Sequence, residues 1–118
     1  MRAIRGAVCL ERDDAGEMIE AVGEMLTAIL DRNQITTDDI VSVLFTCTPD
    51  IHSGFPAAAA RQFGFSEVPL MCAQEIDVEG ALQRTVRVML HVNTDRPRAE
   101  IKHVYLRGAE VLRPDVQS

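Results

Sequence analysis

The sequence predicts an α+β fold, with a five-stranded mixed sheet covered by one long helix and one short helix. Two observations support this prediction. Five short stretches alternate apolar with other residues, and one stretch of about twenty residues repeats its apolar residues at helical spacing. The chain has 118 residues, of which 47% are hydrophobic. This length suffices for one buried core, so we expect a single domain over residues 1–118.

The amino-terminal half supplies two of the strands and the long helix. Arg2 to Leu10 alternates as the first strand, with apolar residues on one face and Arg5 among small residues on the other. The segment "RDDAGEMIEAVGEMLTAILDRNQ" opens with acidic residues and then repeats apolar residues at helical spacing, so it predicts the long helix. "TTDD" offers a cap for a short turn, and residues 41–48 alternate as the second strand.

The carboxyl-terminal half supplies the short helix and three more strands. In "FPAAAARQFG", Pro56 suits a first helical position and Gly64 a stop, which predicts about two turns of helix. The remaining alternating stretches predict strands at residues 68–73, 84–92 and 101–106. "VLRPD" near the carboxyl end predicts a last extended piece.

One face of this sheet lacks a cover. A single long helix covers about one face of a five-stranded sheet, whereas the predicted strands are apolar or half-apolar on both faces. Left exposed, the second face would form a larger apolar patch than soluble monomers usually carry. Association of identical chains is the simplest cover, so the sequence predicts an oligomer.

The net charge of −6 and the pI near 4.9 argue against nucleic acid or an anionic membrane as the main partner. No apolar run approaches the roughly 20 residues that span a bilayer, and the amino end lacks the layout of a signal peptide, so we expect a cytoplasmic protein. Three cysteines without CxxC spacing support neither a disulfide framework nor a zinc site. We therefore expect no metal.

Two arginines lie on predicted strands where water has limited access. Arg87, in "TVRVMLHVN", shares a strand face with Met89, and Arg5 shares one with small residues. An anion pocket at an interface between chains is one interpretation. Surface ion pairs with any of the 18 acidic residues are the other, and periodicity alone favours it.

Three further residues have ordinary structural interpretations. By default Glu75 is a loop carboxylate in water, and Cys72 is a small core residue. Tyr105 is by default a half-buried packing residue whose hydroxyl reaches a polar neighbour.

Several motifs at consistent intervals are similar to one family. "IRGA", "TPDIHSGFPAAAARQFG", "VPLMCAQEIDVEGAL", "RVML" with "NTD", and "HVYL" followed by "VLRPD" resemble, in that order, the small monofunctional chorismate mutases of the AroH class. The resemblance runs from about Ile4 to Asp115 and favours the anion-pocket interpretation of both arginines.

This resemblance implies a homotrimer that forms a pseudo-α/β-barrel, with active sites in the clefts between neighbouring chains. The implied reaction is the Claisen-type rearrangement of chorismate to prephenate, in the shikimate pathway toward the aromatic amino acids. No covalent intermediate, metal or other cofactor takes part in that reaction. It depends on selecting a compact substrate conformer and on stabilising charge at the ether oxygen.

The resemblance also implies roles for single residues. Arg87 looks like the cation at the ether oxygen, Arg5 like a second carboxylate clamp, and Glu75, with Cys72 beside it, like the acceptor of the ring hydroxyl. Tyr105 would bind a substrate carboxylate. Phe55, Ala57, Leu70, Met71 and Leu112 look like the apolar wall, and Arg61 and Arg113 like charges at the pocket mouth.

In the family, the segment with Phe55 and Arg61 belongs to the chain across the interface from Arg87. One departure is Ala58, where the family often has lysine, and it predicts a weaker capture of substrate. Two other functions remain as alternatives: a trimeric imine-hydrolysing deaminase, or a trimeric sensor that binds a small dicarboxylate without turnover.

Overall fold

Five strands form one mixed sheet in the computed structural model, which describes residues 1–112. The strands are β1 (Arg2–Cys9), β2 (Ile40–Cys47), β3 (Leu70–Gln74), β4 (Thr85–Val92) and β5 (Val104–Leu106). The helices are α1 (Ala15–Asn33) and α2 (Pro56–Arg61). Short 3-10 turns cover Thr37–Asp39, Arg98–Glu100 and Ala109–Leu112. The predicted α+β architecture is confirmed.

The strand order is β3-β2-β4-β1-β5, which puts β4 at the centre of the sheet. β4 pairs antiparallel with β2 on one side and with β1 on the other. The two edge strands run parallel to their neighbours, β3 to β2 and β5 to β1. Both edges of β4 therefore form backbone hydrogen bonds with a neighbouring strand.

Asp14 caps the start of helix α1, and its side chain accepts the backbone N–H of Glu17 at 2.9 Å. Gln34 caps the end with a left-handed φ of 53°. The buried face of the helix packs on β1 and β5 in the main core. Gly6 of β1 permits this contact, because a Cβ there would lie 3.0 Å from Cδ1 of Ile29.

Helix α2 begins with Pro56 at a first-turn position, as predicted, and packs against α1. The ring of Phe63, just after α2, lies on Gly23 of α1, where a Cβ would come within 2.1 Å of the ring. Gly64 has a φ of 92°, which only glycine adopts readily, and it turns the chain away from the helix. No helix within residues 1–112 has the length and apolar character to cross a membrane.

Among residues 1–112, the sheet face opposite α1, called the open face below, is covered only at one end. There Ala7, Tyr105 and Ala109 form a small second core. On β2 and β3 the same face leaves Leu44 40% exposed and Met71 69% exposed. The structure of one chain thus agrees with the prediction that α1 covers a single face of the sheet.

Two sequence predictions near the carboxyl end are wrong. Strand β5 covers only Val104–Leu106 and not residues 101–106, because the buried Asn33 amide takes both the N–H and the C=O of Lys102. The predicted extended piece in "VLRPD" is a 3-10 turn over its first two residues, since Arg107 and Gly108 have positive φ and buried Ala109 docks on the sheet. Residues 113–115 lie outside the described part of the chain.

Candidate active site

One register row of the sheet crosses all five strands on the open face. Ala73 pairs with Thr46, Thr46 with Arg87, Arg87 with Ala7, and Ala7 with Tyr105. Because paired residues point to the same face, these side chains share the open face. Arg87 is at the centre of the row, on the strand bonded at both edges.

Arg87 contacts Glu75, the first residue after β3. Its Nε lies 3.0 Å from Oε2 of Glu75, and the two side chains are 37% and 17% exposed. This Nε is buried, and its contact with Glu75 is an ion pair without the alignment of a hydrogen bond. The default interpretation of Glu75 as a loop carboxylate in water is therefore wrong.

Thr46 completes this contact and was missed in the sequence analysis. Its hydroxyl donates to the same Oε2 of Glu75 at 2.6 Å. The backbone N–H of Glu75 donates to the carbonyl of Cys47 at 2.9 Å, which fixes the glutamate beside β2. The alternation of "VSVLFTCT" places Thr46 on the open face, but only the strand register brings it opposite Arg87.

Tyr105 is 2% exposed and packs against Ala7 and Ala109. Its hydroxyl is buried and has no hydrogen-bond partner within residues 1–112. The default expectation of a polar neighbour is thus not met there. Leaving a buried hydroxyl unpaired costs about 1–3 kcal/mol, so a ligand that pairs with it gains that contribution. Leu112 packs at the same small core.

Arg5 lies half-exposed in the next row of the open face, opposite Met89. Its backbone N–H donates to Nδ1 of His103 at 3.0 Å. Its guanidinium makes no ion pair with any residue among 1–112. Arg5 and Arg87 are diagonal neighbours on paired strands, a relation that puts two Cα atoms about 7–8 Å apart.

The other predicted residues occupy different places. Cys72 and Leu70 pair with the core residues Phe45 and Val43, so they point away from the open face. The side chain of Cys72 therefore does not lie beside that of Glu75. Met71, between them on β3, points to the open face. Arg113 lies outside the described residues.

The remaining predicted site residues lie in helix α2 or directly before it. Phe55 is 72% exposed where α2 begins, and it lines a groove at the β3 edge together with Cys72 and His52. Ala57 is buried in the main core, and Arg61 is exposed at the end of α2. Within one chain, this group does not meet Arg87.

A polar cluster at the start of β4 was also missed. Asp50 accepts the backbone N–H of Arg84 at 3.1 and 2.9 Å and the hydroxyl of Thr48 at 2.6 Å. Thr48 in turn accepts the backbone N–H of Thr85 at 2.9 Å. "TPD" directly after a strand is the only sequence signal for it.

Cys47 lies next to Cys72 and Glu75 on the groove side of β2. Burial, and to a smaller extent charge on Cys72 and Glu75, raises the pKa of Cys47 to about 12. The thiol is therefore neutral at neutral pH, which disfavours it as a nucleophile.

Comparison with known proteins identifies the family of this chain. Residues 1–116 match the family model described as chorismate mutase type I. The chain is 44% identical over 117 residues to Chorismate mutase AroH of Bacillus subtilis (strain 168), across 98% of this chain and 92% of that protein. It is 44% identical over 119 residues to Chorismate mutase AroH of Thermus thermophilus, across 100% of this chain and 98% of that protein.

A solved structure, chorismate mutase from Clostridium thermocellum, superposes with a TM-score of 0.92 at 45% identity. The superposition covers 94% of this chain and 99% of that one. The family match and the shared fold thus define an isomerase built on a mixed sheet. The chain belongs to the type I chorismate mutase family, and the predicted enzyme class is confirmed.

Proposed function

We propose that the chain converts chorismate to prephenate in clefts between the chains of a homotrimer, with Arg87 as the cation at the breaking ether bond. The observation that carries this proposal is the state of the Arg87 guanidinium. It is fixed through Nε beside Glu75, partly out of solvent, on a sheet face that one chain leaves open. Its two terminal nitrogens make no hydrogen bond or ion pair within residues 1–112.

The rearrangement is intramolecular. One carbon–oxygen bond breaks as one carbon–carbon bond forms, and no proton moves to or from the protein. Negative charge grows on the ether oxygen in the transition state. A guanidinium fixed there stabilises that state more than the ground state, and such a preorganised donor is worth roughly 3 kcal/mol in a dry site.

The neighbours of Arg87 would hold the rest of the substrate. Arg5 would clamp one carboxylate, and the buried hydroxyl of Tyr105 would donate to a carboxylate. Glu75 would accept the hydrogen bond of the ring hydroxyl. Together these contacts would hold the compact conformer and lower the entropic part of the barrier.

The separation of the predicted residues within one chain supports a site shared by two chains. Strand β3 and β4 are two strand spacings apart, roughly 10 Å, and Phe55 lies beyond the β3 edge. A neighbouring chain would therefore supply the α2 side of the pocket. The proposed wall residues are Phe55, Ala57, Leu70, Met71 and Leu112, with Arg61 and Arg113 at the mouth.

The open face supports association of identical chains. Leu44 and Met71 are adjacent in the β2–β3 register, and Met89 continues the same row on β4. An apolar row of this extent is usually covered in soluble proteins, and a closed trimer would cover it while completing the sites. We also propose a cytoplasmic location, which the three unpaired cysteines support, since free thiols are usual in a reducing compartment.

Turnover and assembly are tested together on the purified protein. Loss of chorismate absorbance with formation of prephenate, by a species that sediments as a trimer, is the expected result. Binding of chorismate without turnover would instead favour the sensor alternative, and a monomer at micromolar concentration would remove the shared site.

Mixing two inactive variants tests the shared site directly. Arg87→Ala removes the cation, and Phe55→Glu places a negative charge on the exposed α2 side. If the Arg87 side and the Phe55 side of each site come from different chains, subunit exchange in an equal mixture restores activity in about a quarter of the sites. If each site lies within one chain, the mixture remains as inactive as its components.

A further inference from the structure

We propose that Thr46 is a positioning residue for the reaction, acting through Glu75. It holds the Glu75 carboxylate so that Arg87 is contacted at Nε only, which leaves both terminal guanidinium nitrogens for the substrate. This inference rests on the proposed role of Arg87.

The geometry converges on one oxygen atom. Oε2 of Glu75 accepts the Thr46 hydroxyl at 2.6 Å and lies 3.0 Å from Nε of Arg87. Thr46 is the direct β2 partner of Arg87 in the sheet register, so both side chains rise from adjacent points of the same face. The glutamate side chain is 17% exposed, which limits the water available to replace the hydroxyl.

A carboxylate beside an arginine usually forms two parallel bonds to the guanidinium fork. That arrangement would occupy one terminal nitrogen of Arg87 and compete with the substrate. Here the second carboxylate oxygen, Oε1, bonds to none of residues 1–112. The hydroxyl of Thr46 thus favours the single contact and leaves Oε1 for the ring hydroxyl.

The side chain of Thr46 suits this role because a β-branched residue has few χ1 rotamers on a strand. Its donor is therefore held in place by its own backbone, on a strand paired on both sides. Serine would keep the donor with less restraint. Valine would keep the shape and remove the donor.

Steady-state kinetics of Thr46→Val and Thr46→Ser test the inference. Loss of a hydrogen bond to a charged group predicts a fall in kcat/KM of about 10- to 100-fold for Thr46→Val. KM is expected to rise, because Glu75 then competes for the fork, and kcat to fall, because the ether oxygen loses part of its cation. Thr46→Ser should stay within about threefold of wild type, since the donor remains. Ser42→Ala, a hydroxyl loss on the same face of β2, is the matched control and should leave both constants unchanged.

A double-mutant cycle separates positioning from a merely structural role. If Thr46 acts through Glu75, Thr46→Val should have little further effect in a Glu75→Ala background, whereas independent effects would multiply. Thr46→Ala removes the same donor with less bulk and serves as a second variant. Wild-type kinetics in folded Thr46→Val or in folded Thr46→Ala would overturn the inference. Effects that multiply in the cycle would overturn it as well. A wild-type chain that fails to turn over chorismate would instead refute the proposed function.

Discussion

Asp50 accepts the backbone N–H of Arg84 with both of its carboxylate oxygens, at 3.1 and 2.9 Å. Arg84 has a φ of 48°, a left-handed conformation that is strained for a residue with a side chain. Its Nε also donates to the carbonyl of Leu10 at 3.0 Å. These bonds hold the turn from which β4 starts, three positions before Arg87.

The Asp50→Asn variant tests this turn. An amide that offers one acceptor in place of two removes a charge-assisted bond, and we expect a loss of about 1–3 kcal/mol in the free energy of unfolding. Denaturant unfolding measures it. Asp95→Asn, on an exposed loop residue, is the control and should change stability by less than about 0.5 kcal/mol. Equal stability of the two variants would show that the Asp50 bonds contribute nothing net.

Arg87→Ala should lower kcat/KM by about 100- to 1,000-fold while the assembly stays folded, because the residue supplies charge and not packing. Arg87→Lys should recover little of the loss, since an ammonium lacks the planar fork. Kinetics with sedimentation of the same samples measure both effects. Arg98→Ala removes an exposed arginine and should leave the rate unchanged. Near-normal kcat/KM in Arg87→Ala would show that another group stabilises the ether oxygen.

Ala58→Lys should lower KM and leave kcat nearly unchanged. Ala58 is exposed on α2, about one helical turn before Arg61 at the proposed mouth, so a lysine there adds positive charge where a dicarboxylate would enter. The gain should shrink at higher ionic strength. Ala58→Gln controls for side-chain length without charge. An unchanged KM in Ala58→Lys would place α2 away from the substrate entrance.

Asp13 predicts an acid-dependent step in stability. The Ser53 hydroxyl and the backbone N–H groups of His52 and Ser53 hold the pKa of Asp13 below its usual 3.8. The two backbone N–H bonds, at 2.8 and 3.0 Å, are the contacts that hold the carboxylate, because the nearby Ser53 hydroxyl lacks the alignment of a hydrogen bond. A lowered folded-state pKa means that the stabilisation is present above 3.8 and lost as pH falls through the folded value.

Thermal unfolding across acidic pH measures this step. The Tm of the wild type should fall as pH drops below the ordinary aspartate range. The Tm of Asp13→Asn should fall less over the same interval. Because Asp13 is fully exposed, salt should weaken the difference. Parallel pH curves for the two proteins would mean that the bonds to His52 and Ser53 do not favour the folded state.

The rate of the reaction should be nearly flat across neutral pH, since no protein group transfers a proton. A pH profile of kcat/KM checks this expectation. A bell-shaped profile would indicate acid–base chemistry and contradict the proposed mechanism.

Local pattern was sufficient for most of the fold. The apolar spacing in α1 and the alternation of β4 predict which side chains are buried, because each follows the period of one element. The short helix was predicted from its start and stop residues, Pro56 and Gly64. The resemblance in the motifs, and not the periodicity, pointed to Arg87 and Glu75 as site residues.

Contacts between distant elements were not predictable in this way. The Asn33 amide truncates β5 by taking the backbone groups of Lys102, which lie 69 positions away in sequence. Likewise, the convergence of Thr46, Glu75 and Arg87 depends on the register of three strands. A single sequence gives the faces of strands but not which residues stand opposite one another.

The central position of β4 has a consequence for motion. Its amides are bonded to β1 and β2, so they should exchange with deuterium only when the whole sheet opens, later than those of the short edge strand β5. A cation on such a strand has little local freedom. We therefore expect the motion that admits a ligand in the peripheral segments, which are α2 and the turn after β5. The amides of these segments should be the first to show rapid exchange.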